Sequence, residues 1–119
     1  MIDKDSFFND MDRYCEFLNT RVSGFFPECG IFYFRHKAPV GADRFRYNFN
    51  FFLRENGVYA FMVSTINAFP EYIIVNNLFE GKIEFNSNEE FSSYIDKVQD
   101  CEEFNRKLQN ILIIAEHEK

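Results

Sequence analysis

Two histidines and three cysteines are the side chains of this sequence best suited to carry protons, attack carbonyls or bind metal. His36 stands between Arg35 and Lys37, and His117 lies close to the end of the chain. Neither has a Cys, Ser or Asp at a spacing that pairs a base with a nucleophile. Cys15, Cys29 and Cys101 are widely separated, without CxxC or a neighbouring histidine. They predict reduced thiols, two of them at helical core spacing, and neither a disulfide framework nor a zinc site.

The patterns GxGxxG, GxxxxGK[ST], HExxH and DxDxDG do not occur. Carboxylates gather at Asp3, Asp5, Glu89, Glu90, Glu102 and Glu103, all at expected helix starts, where the positive end of the helix dipole accounts for them. The reading is of a non-enzyme with no catalytic residue, no cofactor and no metal ligand.

The other chemistry open to this chain is recognition by rings. Residues 45 to 54 read FRYNFNFFLR, with aromatic residues and Leu53 at every second position and Arg46, Asn48, Asn50 and Arg54 between most of them. Glu55-Asn56-Gly57-Val58 then separates this run from VYAFMVSTI (58 to 66). Asn-Gly between two β-rich runs predicts a two-residue type I′ hairpin, because both turn positions need positive φ. That turn sets a register in which Leu53 faces Ala60, Phe51 faces Met62, Phe49 faces Ser64 and Tyr47 faces Ile66. Large rings opposite mostly smaller residues leave volume for a helix, so this side is the expected core. The other side pairs Arg54 with Tyr59, Phe52 with Phe61, Asn50 with Val63, Asn48 with Thr65 and Arg46 with Asn67.

The elements that hold this hairpin follow from periodicity. Phe7, Met11, Tyr14, Leu18 and Val22 form one apolar stripe on a helix capped by Asp3 or Asp5 and ended near Gly24. FFPECG is a turn, IFYFRHK a short strand, and APVGADR (38 to 44) an exposed loop long enough to carry recognition. NAFPEY breaks the chain at Pro70, EYIIVNNLF resumes a strand, and Glu80-Gly81 offers a weaker turn into KIEFN. Ser87 and Glu90 form a capping box before Phe91, Tyr94, Ile95 and Val98, and the stripe continues through Phe104, Leu108, Ile111, Leu112 and Ala115. Asp100 with Glu103 is a candidate second cap, which leaves one long helix or two. The expected fold is α+β: a single antiparallel meander of four strands, within a range of three to five, with an N-terminal helix and one long or two C-terminal helices packed on one face. A length of 119 residues predicts one domain, 1–119.

Hydrophobic content of 46% with 27% charged residues is that of a globular chain, and its apolar runs are too short to span a bilayer. The acidic start MIDKDSFFND lacks the basic and apolar segments of a signal peptide, which predicts a cytoplasmic protein. A net charge of −6 argues against nucleic acid and anionic membranes as partners and favours a basic protein. The K/R-G-F/Y-G/A-F-V-x-F/Y signature of RNA-stacking sheets is missing as well.

A protein partner is the remaining expectation, bound by a monomer or homodimer. Arg46, Phe52, Arg54, Tyr59 and Phe61 form the aromatic and arginine cluster that interfaces favour. Asp43, Glu55, Glu71 and Glu80 sit on protruding connections suited to entering a cleft. In size, acidity and lack of a catalytic motif the chain is similar to small bacterial immunity proteins, although no motif carries that likeness residue by residue. It implies a cytoplasmic inhibitor that blocks the active site of a toxin, such as a nuclease. The alternatives are a chaperone for a secreted effector, and a small-molecule-binding protein or enzyme with a cavity lined by Phe45, Tyr47, Phe49 and Phe51.

Overall fold

The computed structural model of the chain describes residues 1–36, 45–53, 59–78 and 80–117, and only the backbone at 34–36, 45, 52–53, 59–61 and 115–117. In order the elements are α1 (Lys4–Phe25), β1 (Cys29–His36), β2 (Phe45–Leu53), β3 (Tyr59–Ala68), β4 (Ile73–Asn77), β5 (Gly81–Phe85), α2 (Asn88–Gln99) and α3 (Glu102–His117). The five strands form one antiparallel sheet in sequence order, the upper end of the expected strand number. The expected Asn56-Gly57 turn and 38–44 loop lie outside the described residues, as do Asp43, Arg54 and Glu55.

Local chemistry sets the helix ends. Asp3 caps α1 by accepting the Ser6 N–H at 2.9 Å. Ser87 caps α2 by accepting the Glu90 N–H at 3.2 Å, while the Glu90 carboxylate accepts the Asn86 N–H at 2.6 Å, so the capping box reaches one residue further back than its usual form. The C-terminal stripe is two helices. Asp100 closes α2 and does not cap α3, which begins two residues later with the Asn105 N–H on the Cys101 carbonyl at 3.1 Å.

The helices cover one side of the sheet, and rings make most of the contact. Phe7 lies 5.9 Å from Tyr47, Tyr14 5.5 Å from Phe49, Phe26 6.4 Å from Phe51 and Phe91 5.5 Å from Phe85, centroid to centroid. These tilted and edge-on pairs add to the burial of apolar area that drives the packing. The expected stripe of α1 is buried throughout, with Phe17 joining it. Thus Tyr47, Phe49 and Phe51 are taken up by rings from α1 and the segment after it.

Helix α1 also closes the free edge of β1. The Ile31 N–H donates to Asn19 Oδ1 at 3.0 Å, the Cys15 thiol donates to the Ile31 carbonyl at 3.9 Å, and the Ser23 hydroxyl donates to the Cys29 carbonyl at 3.4 Å. An edge whose main-chain groups are engaged in this way is a poor template for a further strand.

The hairpin register agrees with expectation over its first half and departs from it over the second. Phe45 to Phe49 pair with Ala68 to Ser64 as the Asn-Gly turn requires, but Asn50 then pairs with Met62, Phe51 with Phe61 and Phe52 with Tyr59. Two residues of β3, Val63 and Ala60, are therefore extra to the ladder. A bulge moves the residues beyond it to the other side of the strand. Met62, expected opposite Phe51 on the helix side, stands opposite Asn50 and is exposed, whereas Val63, expected opposite Asn50, is fully buried. The expected Phe52–Phe61 pair is not formed.

Candidate partner-binding face

With the helices on one side, the register alone assigns the other side of the sheet. Phe32, Asn50 and Met62 form one cross-strand row, and Asn48, Thr65, Asn76 and Lys82 share the next with the backbone position of Phe34. Arg46, Asn67, Ile74 and Glu84 share the third with that of His36. Among the described residues, no helix packs on this side.

Its centre combines two environments that rarely coexist. Phe32 and Met62 are 36% and 38% exposed, a large ring and a flexible thioether facing solvent. Between them Asn50 is only 1% exposed, and Asn48, next along β2, is 8% exposed. Yet Asn50 Nδ2, Asn48 Oδ1 and Arg46 Nε are buried atoms with no hydrogen-bond partner among the described residues. A buried polar group left unpaired costs about 1–3 kcal/mol, so successive outward positions of β2 each carry a destabilising atom.

The polar group beneath the helices is arranged differently. Ser64 and Asn77 are neighbours in register on β3 and β4, under Tyr14 of α1 and Tyr94 of α2. Tyr94 donates its hydroxyl to Glu80 Oε1 at 2.9 Å and accepts Asn77 Nδ2 at 3.4 Å, and Asn77 Oδ1 accepts the Glu80 N–H at 2.7 Å. Burial pushes the Tyr14 phenol up to about 12. Ser64, Asn77 and Tyr94 lie near enough to oppose that shift, although the Tyr14 hydroxyl and Ser64 Oγ make no well-formed hydrogen bond. Burial raises Tyr94 too, and it raises Tyr33, whose hydroxyl donates to Asp12. All three phenols are neutral donors at physiological pH, poorly placed to act as bases.

Cys15 is likewise pushed up to about 11, chiefly by burial, which keeps its thiol protonated and unreactive. A groove of about 550 Å³ lies where α1 meets the α2–α3 joint, lined by Arg13, Glu16, Phe17, Thr20, Arg21, Gln99 and Asp100. Both of its arginines are engaged. Arg13 donates to Asp96 at 2.8 Å, Ser92 at 2.9 Å and Asp10 at 3.1 Å, and Arg21 donates to the Gln99 carbonyl at 2.8 Å. Among the described residues, no group of three or more His, Cys, Asp or Glu is disposed to hold a metal ion, and no helix is long and apolar enough to cross a membrane.

The site residues expected from sequence are only partly brought together. Arg46 takes its place on the uncovered side. Phe52 and Tyr59 occupy opposed backbone positions, while Phe61 takes the position opposite Phe51, in the helix-covered register. The side chains of these three lie outside the described residues. Glu71 and Glu80 are exposed in the turns at opposite ends of β4, and Glu80 is tied to Tyr94, so they do not form one acidic prong. Sequence reasoning placed Met62 in the core because the bulge is invisible to strict alternation; the unbroken apolar run Phe61-Met62-Val63 was the signal that alternation fails there. No protein-family model, curated protein or solved structure matches the chain.

Proposed function

We propose that this is a non-enzymatic protein-binding protein that docks a partner on the uncovered side of its sheet, and that it acts in the cytoplasm as an acidic inhibitor of a basic toxin. The observation that carries the reading is the row Phe32–Asn50–Met62, in which exposed apolar side chains flank a buried carboxamide with an unpaired heteroatom. Apolar anchors around a desolvated polar centre are the anatomy of a binding hot spot. A net charge of −6 accelerates encounter with a basic surface, and a nuclease, basic where it holds phosphate, is the toxin class such charge fits best.

The test is co-expression with the product of the neighbouring reading frame, followed by purification of the complex and an activity assay of that product with and without this protein. Loss of the partner's activity in the complex is the expected result, and Phe32→Ala with Met62→Ala restores it by weakening binding at least about tenfold. A tight complex that leaves the partner fully active sinks the inhibitor reading. A complex indifferent to both substitutions sinks the assignment of this face.

A further inference from the structure

We infer that Arg46, Asn48 and Asn50 recognise the main chain of an extended segment of the partner, laid along β2 on the uncovered side of the sheet. The inference rests on the reading of that side as the docking surface and adds what the partner must present to it.

Three successive outward positions of one strand each carry a buried polar atom without a partner among the described residues: a donor at Arg46 Nε, an acceptor at Asn48 Oδ1 and a donor at Asn50 Nδ2. Outward positions on a strand recur every second residue, about 6.8 Å apart. An extended polypeptide offers an N–H and a C=O on the same side at that same interval. A helix has already used these groups internally, and a compact side-chain surface has no reason to repeat them at this spacing. A carboxamide is itself built as a peptide group, with donor and acceptor on one plane, so rotation of Asn48 or Asn50 matches either direction of the incoming chain.

Access is set by the neighbours. Phe32 and Met62 flank Asn50 from the adjacent strands, both more than a third exposed, and the unbranched Met62 side chain is held only by the weak 4.0 Å contact that its sulfur accepts from the Thr65 hydroxyl. Their displacement would let a main chain reach the amide while ring and thioether pack against its side chains. Of the two outer strands, β1 and β5, the β1 edge is engaged at Cys29 and Ile31 by Asn19, Cys15 and Ser23 of α1. The face thus offers unsatisfied groups where that edge does not.

Two measurements on the full chain test this. In the first, thermal unfolding of Asn50→Leu and Asn48→Leu should show a rise of about 3–6 °C in Tm, because each change deletes an unpaired buried group. A fall of that size would mean that the amides stabilise the fold itself, and the inference fails. In the second, a display library of short linear peptides is selected on the wild-type protein. Enriched peptides should lose at least about tenfold in affinity with either Asn→Leu variant, and also when backbone N–H groups at alternate peptide positions are methylated. Peptides sensitive to Phe32→Ala and Met62→Ala but indifferent to Asn→Leu and N-methylation overturn the main-chain recognition and leave the docking face standing. A library that yields no binder also overturns the inference. Peptides indifferent to all of these changes count against the inference and the docking face together.

Discussion

Each side of this sheet buries polar side chains and leaves some of their atoms unpaired, but under the helices one of them, Asn77, is also hydrogen-bonded outward to an exposed carboxylate. Under the helices, Asn77 is linked through Tyr94 and Glu80 to an exposed carboxylate, beside Tyr14 and Ser64. On the other side, Asn50 sits between Phe32 and Met62 and Asn48 beside Thr65, each with one heteroatom unpaired among the described residues. The contrast teaches where the fold is finished. The covered side is a closed core of interlocking rings that seals the unpaired Tyr14 hydroxyl and Ser64 Oγ beneath the helices, whereas the unpaired atoms of the uncovered side lie behind side chains that meet water. Local rules are most often broken where function requires it.

The largest difference between the two sides should come from truncating one ring on each. Phe49→Ala, in the fully buried covered side, should cost about 3–5 kcal/mol in urea unfolding, whereas Phe32→Ala should cost about 1–2 kcal/mol because 36% of it already meets water. Equal losses would mean that the two sides are equally buried and would remove the docking surface.

A second measurement sharpens the account of the covered side through pH. The Tyr14 phenol is raised from 10.0 to about 12 by burial, so the folded state disfavours the phenolate. Its contribution is fully present below the unfolded value near 10 and is lost as pH rises toward 12, at most about 2–3 kcal/mol for this fully buried group. Alkaline titration of stability should therefore fall less steeply for Tyr14→Phe than for the wild type in that window. At neutral pH the same substitution should raise stability by about 1 kcal/mol, since it deletes a buried hydroxyl with no well-formed bond. A large loss at neutral pH would show the hydroxyl to be firmly bonded.

The smallest effect belongs to Tyr94→Phe, which removes the 2.9 Å bond to Glu80 near the surface and should cost about 1 kcal/mol in the same unfolding assay. A cost near zero would mean that solvent replaces the link, and that the route from Asn77 to the surface is not held by this phenol.

Much of the frame was legible from residue spacing. The α1 stripe, the Asp3 cap, the Ser87–Glu90 box and the alternating ladder of β2 each follow from interactions a few residues apart, so sequence reading finds them directly. The β4–β5 turn is legible only in part. Its positive φ falls on Gly81, at 81°, and not on Glu80, and Asn77 holds it by accepting the Glu80 N–H, a side-chain role that no turn dipeptide announces. The outward row was less legible than the frame, because the exposure of Phe32 and Met62 depends on neighbours on other strands.

By itself, then, the sequence determined that the chain would make an α+β meander, and that Tyr47, Phe49 and Phe51 would face a helix, because periodicity and caps act locally. Only the tertiary structure decided the break between α2 and α3, the bulges at Val63 and Ala60, and with them which apolar residue of β3 faces outward. The physical reason is that a strand's local preferences are satisfied with or without one extra residue. Its register is set by what packs on each side, and in β3 the burial of Val63 and the exposure of Met62 follow from that choice.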